Sequence, residues 1–164
     1  MVLPVQAFAE ISPAELPAGS VLRFRESWAL LVSYQDVRTR DLLMLTGDRV
    51  GQLLSVTPGM PKCLAVVGLF SWFSAIDEQT TPARAEHRTA ALTLTTDGPV
   101  IIGVRLDGFG DEDHCAFDLD GSVNREHDTY GLDLRYRQWS AELQHRDRPY
   151  RSIGRLFSVR VGED

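Results

Sequence analysis

Between Val21 and Tyr34 the apolar side chains Leu22, Phe24, Trp28, Leu30, Val32 and Tyr34 fall on even positions, and Arg23, Arg25, Ser27 and Ser33 on odd ones. A period of two over this length predicts a half-buried strand, interrupted near Glu26-Ser27. A polar connection from Asp36 to Asp41 leads to Leu42-Leu43-Met44-Leu45. The turn-forming group Thr46-Gly47-Asp48 separates that run from Val50 to Val56, so a second hairpin is expected. Thr57-Pro58-Gly59-Met60-Pro61 breaks the pattern ahead of Cys63 to Ile76, the most apolar run in the chain. That run is too short to span a bilayer, and its first half reads as a buried strand.

Further along, Ala91 to Leu106 holds two β-branched runs joined by Asp97-Gly98. Asp-Gly suits a type I′ turn, which puts Leu94 opposite Ile101. Asp120-Gly121 marks another hairpin after Cys115 to Leu119. Leu132, Leu134 and Tyr136 then alternate with Asp133, Arg135 and Arg137, after which the phase switches to Trp139, Ala141 and Leu143. A bulge or a strand-to-helix change is expected near Gln138. Phe157, Val159 and Val161 form a last strand. Residues 1–19, with Pro4, Pro13 and Pro17, read as an N-terminal arm with at most one helical turn near Ser12. Asp77 to His87 reads as a long loop or a short surface helix. Eight to ten short strands without a long helical period predict a mainly β, single-domain antiparallel sandwich or barrel over residues 1–164, with few short helices.

Composition agrees with a globular chain: 43 % of the 164 residues are hydrophobic and 24 % charged, which excludes disorder and coiled coil. The net charge of −6 opposes general nucleic-acid binding and anionic membranes. Sixteen of the 17 basic residues are Arg, Lys62 being the exception. That is the usage of a GC-rich, bacterial genome. Cys63 and Cys115 sit among apolar residues with no metal-type spacing, and so read as free thiols of a reducing cytosol. The first residues lack the positive stretch and apolar length of a secretion signal, which points to the cytoplasm.

The charge is unevenly placed. From Asp107 to Asp133 nine acids, Asp111, Glu112 and Asp113 among them, stand against Arg125 alone. From Arg135 to Arg160 seven arginines stand against Glu142 and Asp147. The two blocks either pair with each other or face partners of opposite charge. Arg135, Arg137 and Arg155 are the candidates for an anion, and Phe70, Trp72 and Phe73, where the apolar run meets a polar loop, for a protein contact.

Two histidines raise a metal question. With a two-residue loop at Asp120-Gly121, His114 pairs with His127 across the hairpin, which supplies part of a zinc-type site. With a three-residue loop and a left-handed Gly121, Phe117 faces Val123 and His114 faces Glu126; the apolar match favours this register. Asp118, Asp120, Ser122, Asn124 and Glu126 alternate like an EF-hand loop, but Gly121 and Thr129 fall at the wrong positions for one. Arg84 and Arg88 have the RxxxR spacing of PilZ domains, yet Arg125 stands where that family's second motif has Gly, and the chain is not assigned to it.

No catalytic motif is present, and none calls for a cofactor. The leading expectation is a non-catalytic domain that binds another protein, such as an immunity-type neutralising partner of a toxin. The alternative is a small-molecule or anion-binding β domain, with enzymatic activity and homo-oligomerisation left open.

Overall fold

A computed structural model of the chain describes residues 2–34, 37–76, 89–106, 109–125 and 134–161. Alternation and turn residues have produced three antiparallel sheets that do not close into a barrel, consistent with a sandwich. The first sheet has the order β1-β6-β2-β3-β4-β5 and takes all of these strands from the first 66 residues. They are β1 (Phe8–Ile11), β2 (Val21–Phe24), β3 (Ser27–Tyr34), β4 (Val37–Met44), β5 (Leu53–Ser55) and β6 (Cys63–Val66). After β7 (Phe70–Ala75) comes the second sheet, ordered β11-β10-β9-β8-β12: β8 (Leu92–Thr95), β9 (Gly98–Leu106), β10 (Glu112–Asp118), β11 (Val123–Asn124) and β12 (Leu134–Tyr136). The third, β14-β13-β7, adds β13 (Gln138–His145) and β14 (Gly154–Arg160).

The break expected near Glu26-Ser27 is a tight hairpin in which Val21 faces Leu30 and Phe24 faces Ser27. A two-residue loop makes partners differ in parity, so the even positions do not share a face across it. Leu22 and Phe24 pack with Ala29 and Leu31 on one side, while Val21 packs with Leu30 and Val32 on the other. Both faces of the first sheet are therefore buried. One joins the main core with Leu92, Ile101 and Phe117 of the second sheet and Trp139, Leu143 and Phe157 of the third. The opposite face is packed by Leu16 from the N-terminal segment, with Met60 at its margin. The Arg40 guanidinium straps that segment down by donating to the Ala14 and Leu16 carbonyls.

Residues 1–19 are thus more than an arm, since they supply the edge strand β1, paired with β6, and a 3-10 turn at Pro13–Glu15. The stretch from Asp36 to Asp41 is not a plain connection either, because β4 already begins at Val37. At Thr96-Asp97 the observed hairpin pairs Thr95 with Gly98, which sets Leu92, not Leu94, opposite Ile101. Pro99 opposes Leu94, and Gly98 takes φ 128° at the first paired position instead of serving in a type I′ loop. The Asp120-Gly121 hairpin has the favoured register, Phe117 opposite Val123 and Gly121 left-handed at φ 84°. Near Gln138 there is neither a helix nor a bulge: at the bend of Arg137 the chain leaves the second sheet and enters the third.

Two glycines lock sheets one and two together. Gly121 lies where an added Cβ would come 2.3 Å from the Gly19 nitrogen and 2.5 Å from the Leu31 carbonyl oxygen. The Ser33 N–H donates to the Gly121 carbonyl at 2.8 Å across the same junction.

Candidate functional site

On the third sheet, β13 alternates cleanly. Trp139, Ala141 and Leu143 face the main core, while Ser140, Glu142 and Gln144 face the other way. On β14, Phe157 and Val159 point inward and Ser158 and Arg160 outward. By parity alone Arg155 would join Phe157 on the core side. The pairing shifts between Ala141 and Glu142, however: Ala141 faces Phe157 but Glu142 faces Arg155, leaving Leu156 as the extra residue of a bulge. A bulge re-aims the side chains beyond it, and here it turns Arg155 onto the polar face, beside Glu142.

Glu142 is nearly buried and accepts three hydrogen bonds: Ser140 Oγ at 2.8 Å and Arg155 Nε at 3.0 Å on Oε1, and Ser152 Oγ at 2.7 Å on Oε2. Burial alone would raise its pKa, but donation by Ser152, Ser140 and Arg155 outweighs burial and holds the carboxyl below its ordinary range. Its charge fixes Arg155 through Nε and leaves the terminal nitrogens of that guanidinium to face outward. Next to it, Ser140 opposes Ser158 and Gln138 opposes Arg160. Together with Ala75 and Ile76 at one end, these residues enclose a half-open groove of about 250 Å³ that no carboxylate of the described residues lines.

Two other hollows of similar size offer less. One, near Gly19 and Trp72, holds a single arginine, Arg146, whose Nε donates to the Gly68 carbonyl, while Trp72 Nε1 donates to that of Gly19. The other sets Arg25 and Arg49 against Glu26 and Asp48, so its charges cancel.

Of the expected residues, then, Arg155 lines the groove, joined by Arg160, which sequence reasoning did not single out. Arg137 sits at the bend between the sheets, half-buried, its carbonyl accepting from Val161. Arg135 is 1 % exposed and opposite Thr93, on the face of the second sheet that carries Val100, Ile102 and Ala116 and is turned away from the main core. Asp111, Glu112 and Asp113 are exposed together at the outer end of the β9–β10 hairpin, near Leu106 and Phe109, the latter 95 % exposed. Phe70 is buried in the main core, and Trp72 is half-buried against Trp139. Phe73 lies on the opposite face, edge-on to Tyr150. The aromatic trio is therefore split between two faces and forms no single contact surface. His114 faces Val104, with Nε2 3.6 Å from the Glu112 carboxylate; Glu126 and His127, like Arg84 and Arg88, lie outside the described residues. Among the described residues no group of three or more His, Cys, Asp or Glu is placed to hold a metal, and no helix is long and apolar enough to cross a membrane.

A second polar cluster had no sequence signal. Asp41, 1 % exposed, accepts from the Tyr34 hydroxyl at 2.9 Å and from Arg105, while Arg105 also lies over the Tyr34 ring. Asp41 Oδ1 is buried without a hydrogen-bond partner among the described residues. Burial and the hydrogen bond to Asp41 push the Tyr34 phenol far above its ordinary range. Cys115, on the same side of β10, is raised by burial and by Asp113, and Cys63 by burial. Both cysteines are free thiols. Neither thiol is a nucleophile poised at neutral pH. This cluster ties β4 to β9, whereas the groove presents unused donors to solvent. No protein family, no curated protein and no solved structure matches the chain.

Proposed function

We propose that the chain is a binding domain whose groove on the third sheet receives an anionic group carried by a partner. The observation that carries the reading is the bulge that turns Arg155 out of the core and onto the face of Arg160, with Glu142 fixing its orientation. An arginine aimed by a buried carboxylate keeps its fork for a second, bidentate acceptor. At about 250 Å³ the groove is smaller than the roughly 300–1,000 Å³ of pockets that enclose whole small-molecule ligands. A side-chain carboxylate or a single phosphate fits that space better than a nucleotide.

The test is an NMR titration of the arginine Nε–H resonances with inorganic phosphate and with acetate. The expected result is saturable shifts of Arg155 and Arg160 with Kd of order 1 mM, corresponding to roughly −4 kcal/mol, weakened at least fivefold in Arg155→Gln or Arg160→Gln. Shifts spread evenly over the surface arginines, or unaffected by either substitution, overturn the reading.

A second reading is favoured by one specific observation, the exposed run Asp111-Glu112-Asp113 beside Leu106 and Phe109. It supports docking of a basic protein surface there, as a complex that weakens with salt. A chain that retains no partner at any ionic strength counts against it.

A further inference from the structure

We infer that the groove is one part of a strand-addition site, in which an extended acidic segment of a partner protein pairs with the open edge of β14 and sets its carboxylates between Arg155 and Arg160. The inference rests on the anion reading above and names the form in which the anion arrives. In the third sheet β14 is an edge strand, and among the described residues no strand pairs with its outer side. The Val161 N–H donates to the Arg137 carbonyl at 2.9 Å, so Val161 and Arg137 form a hydrogen-bonded pair. Antiparallel ladders alternate such pairs with non-bonded ones. Val159 and Phe157 therefore bond inward to Trp139 and Ala141, and the N–H and C=O of Ser158 and Arg160 point to the open edge.

Ser158 and Arg160 thus carry two functions at once, because their side chains line the groove while their backbone groups await a strand. Exposed edges are commonly protected by Pro, Lys or a bulge. β14 contains neither Pro nor Lys, and its bulge lies at Leu156, ahead of the regular stretch Phe157 to Arg160. A strand added there would have the side chains on the groove face at alternate positions, next to those of Ser158 and Arg160. Two arginines on that face, with the one carboxylate beside them among the described residues already taken by Ser140, Ser152 and Arg155, select acidic residues at those positions. Main-chain bonds would supply affinity and the arginines specificity, as in other edge-strand recognition.

The experiment uses the full chain and a fluorescent peptide with glutamate at alternate positions separated by Thr or Val, plus two versions N-methylated on one or the other set of alternate amides. Only one set of amides can face β14. The expected result is that one N-methylated peptide binds at least tenfold more weakly, the other within about twofold of the parent, and the Gln-for-Glu peptide not at all. Phosphate-induced shifts of Arg155 and Arg160 are recorded on the same protein, so loss of the strand contact and loss of the anion site are told apart. Equal binding of all three glutamate peptides, or phosphate binding without any peptide binding, overturns strand addition and leaves the anion groove standing. Absence of both phosphate and peptide binding overturns both.

Discussion

Replacing Glu142 with Gln probes the groove and the fold together. The carboxylate receives Ser140, Ser152 and Arg155 on its two oxygens. Hydrogen bonds to a charged group contribute about 1.5–3 kcal/mol and neutral ones about 1. Serine hydroxyls can rotate to accept from an amide NH₂, so those two bonds weaken without being lost. Arg155 is largely exposed and water can replace its contact. Relief of the burial penalty on the charge offsets part of the loss. The net destabilisation at pH 7 is roughly 2 kcal/mol, or a fall in Tm of roughly 4–8 °C for a chain of this size.

The pH dependence fixes the cause. Because the folded carboxyl is held below its ordinary range, its stabilisation is complete above the unfolded pKa of about 4.3 and disappears as pH falls through the folded value. Urea midpoints of the native chain and Glu142→Gln, measured at equal slope, should differ at pH 7 and converge in acid. Equal midpoints at pH 7, or a gap unchanged below the folded pKa, refute the reasoning. Phosphate binding gives a second readout: the substitution removes one negative charge from beside the groove yet should weaken binding, because Arg155 loses its aim. Tighter binding in Glu142→Gln would mean that the carboxylate acts by charge alone.

Three other outcomes follow from the geometry. Gly121→Ala combines a left-handed backbone with a Cβ only 2.3 Å from the Gly19 nitrogen, so a loss of at least about 3 kcal/mol is expected in urea unfolding; a loss below 1 would show that the junction yields. Asp41→Ala strands the Tyr34 hydroxyl and Arg105 and should cost about 2–3 kcal/mol, whereas Asp41→Asn should bring Tyr34 ionisation back toward the other tyrosines in an alkaline ultraviolet titration. No change in that titration would remove Asp41 as a cause of the shift. Cys115, its pKa raised, should alkylate slowly at neutral pH and accelerate as pH rises, while two thiols titrate in denaturant; rapid reaction at pH 7 would contradict the burial argument.

How much of this the sequence carried depends on how local each signal is. Strands such as β3 and β12 announce themselves because period-two alternation and turn residues act within a few positions. Face assignment failed wherever a cross-strand event intervened. The loop at Arg25-Glu26 swaps parity between β2 and β3 and the bulge at Leu156 turns Arg155 over, whereas the two-residue slip at Asp97-Gly98 changed the partners and kept the faces. Alternation with Leu134 and Tyr136 put Arg135 on the polar side of its strand, and no local signal announced that this side is buried. Tyr34, Asp41 and Arg105 gave no signal, since Arg105 meets the other two across 71 and 64 residues. Asp41 moreover lies in a stretch whose polar composition resembled a connection. Phe70 was legible as apolar, and both a core and a surface place were open to it, because its exposure depends on β13, which lies far later in the chain.

The order of the three sheets has a consequence for synthesis on the ribosome. Every strand of the first sheet has been made by Val66, and the segment carrying Leu16 can already cover one of its faces. The other face, with Val21, Leu30, Val32 and Leu43, waits first for Leu92, Ile101 and Phe117 and then for Trp139, Leu143 and Phe157. At about 5–20 residues per second, the interval from Val66 to the end of β14 at Arg160 lasts roughly 5–20 s. During that time the nascent chain displays an apolar sheet whose cover is completed only by its own later strands, which makes the first sheet the natural client surface for a chaperone.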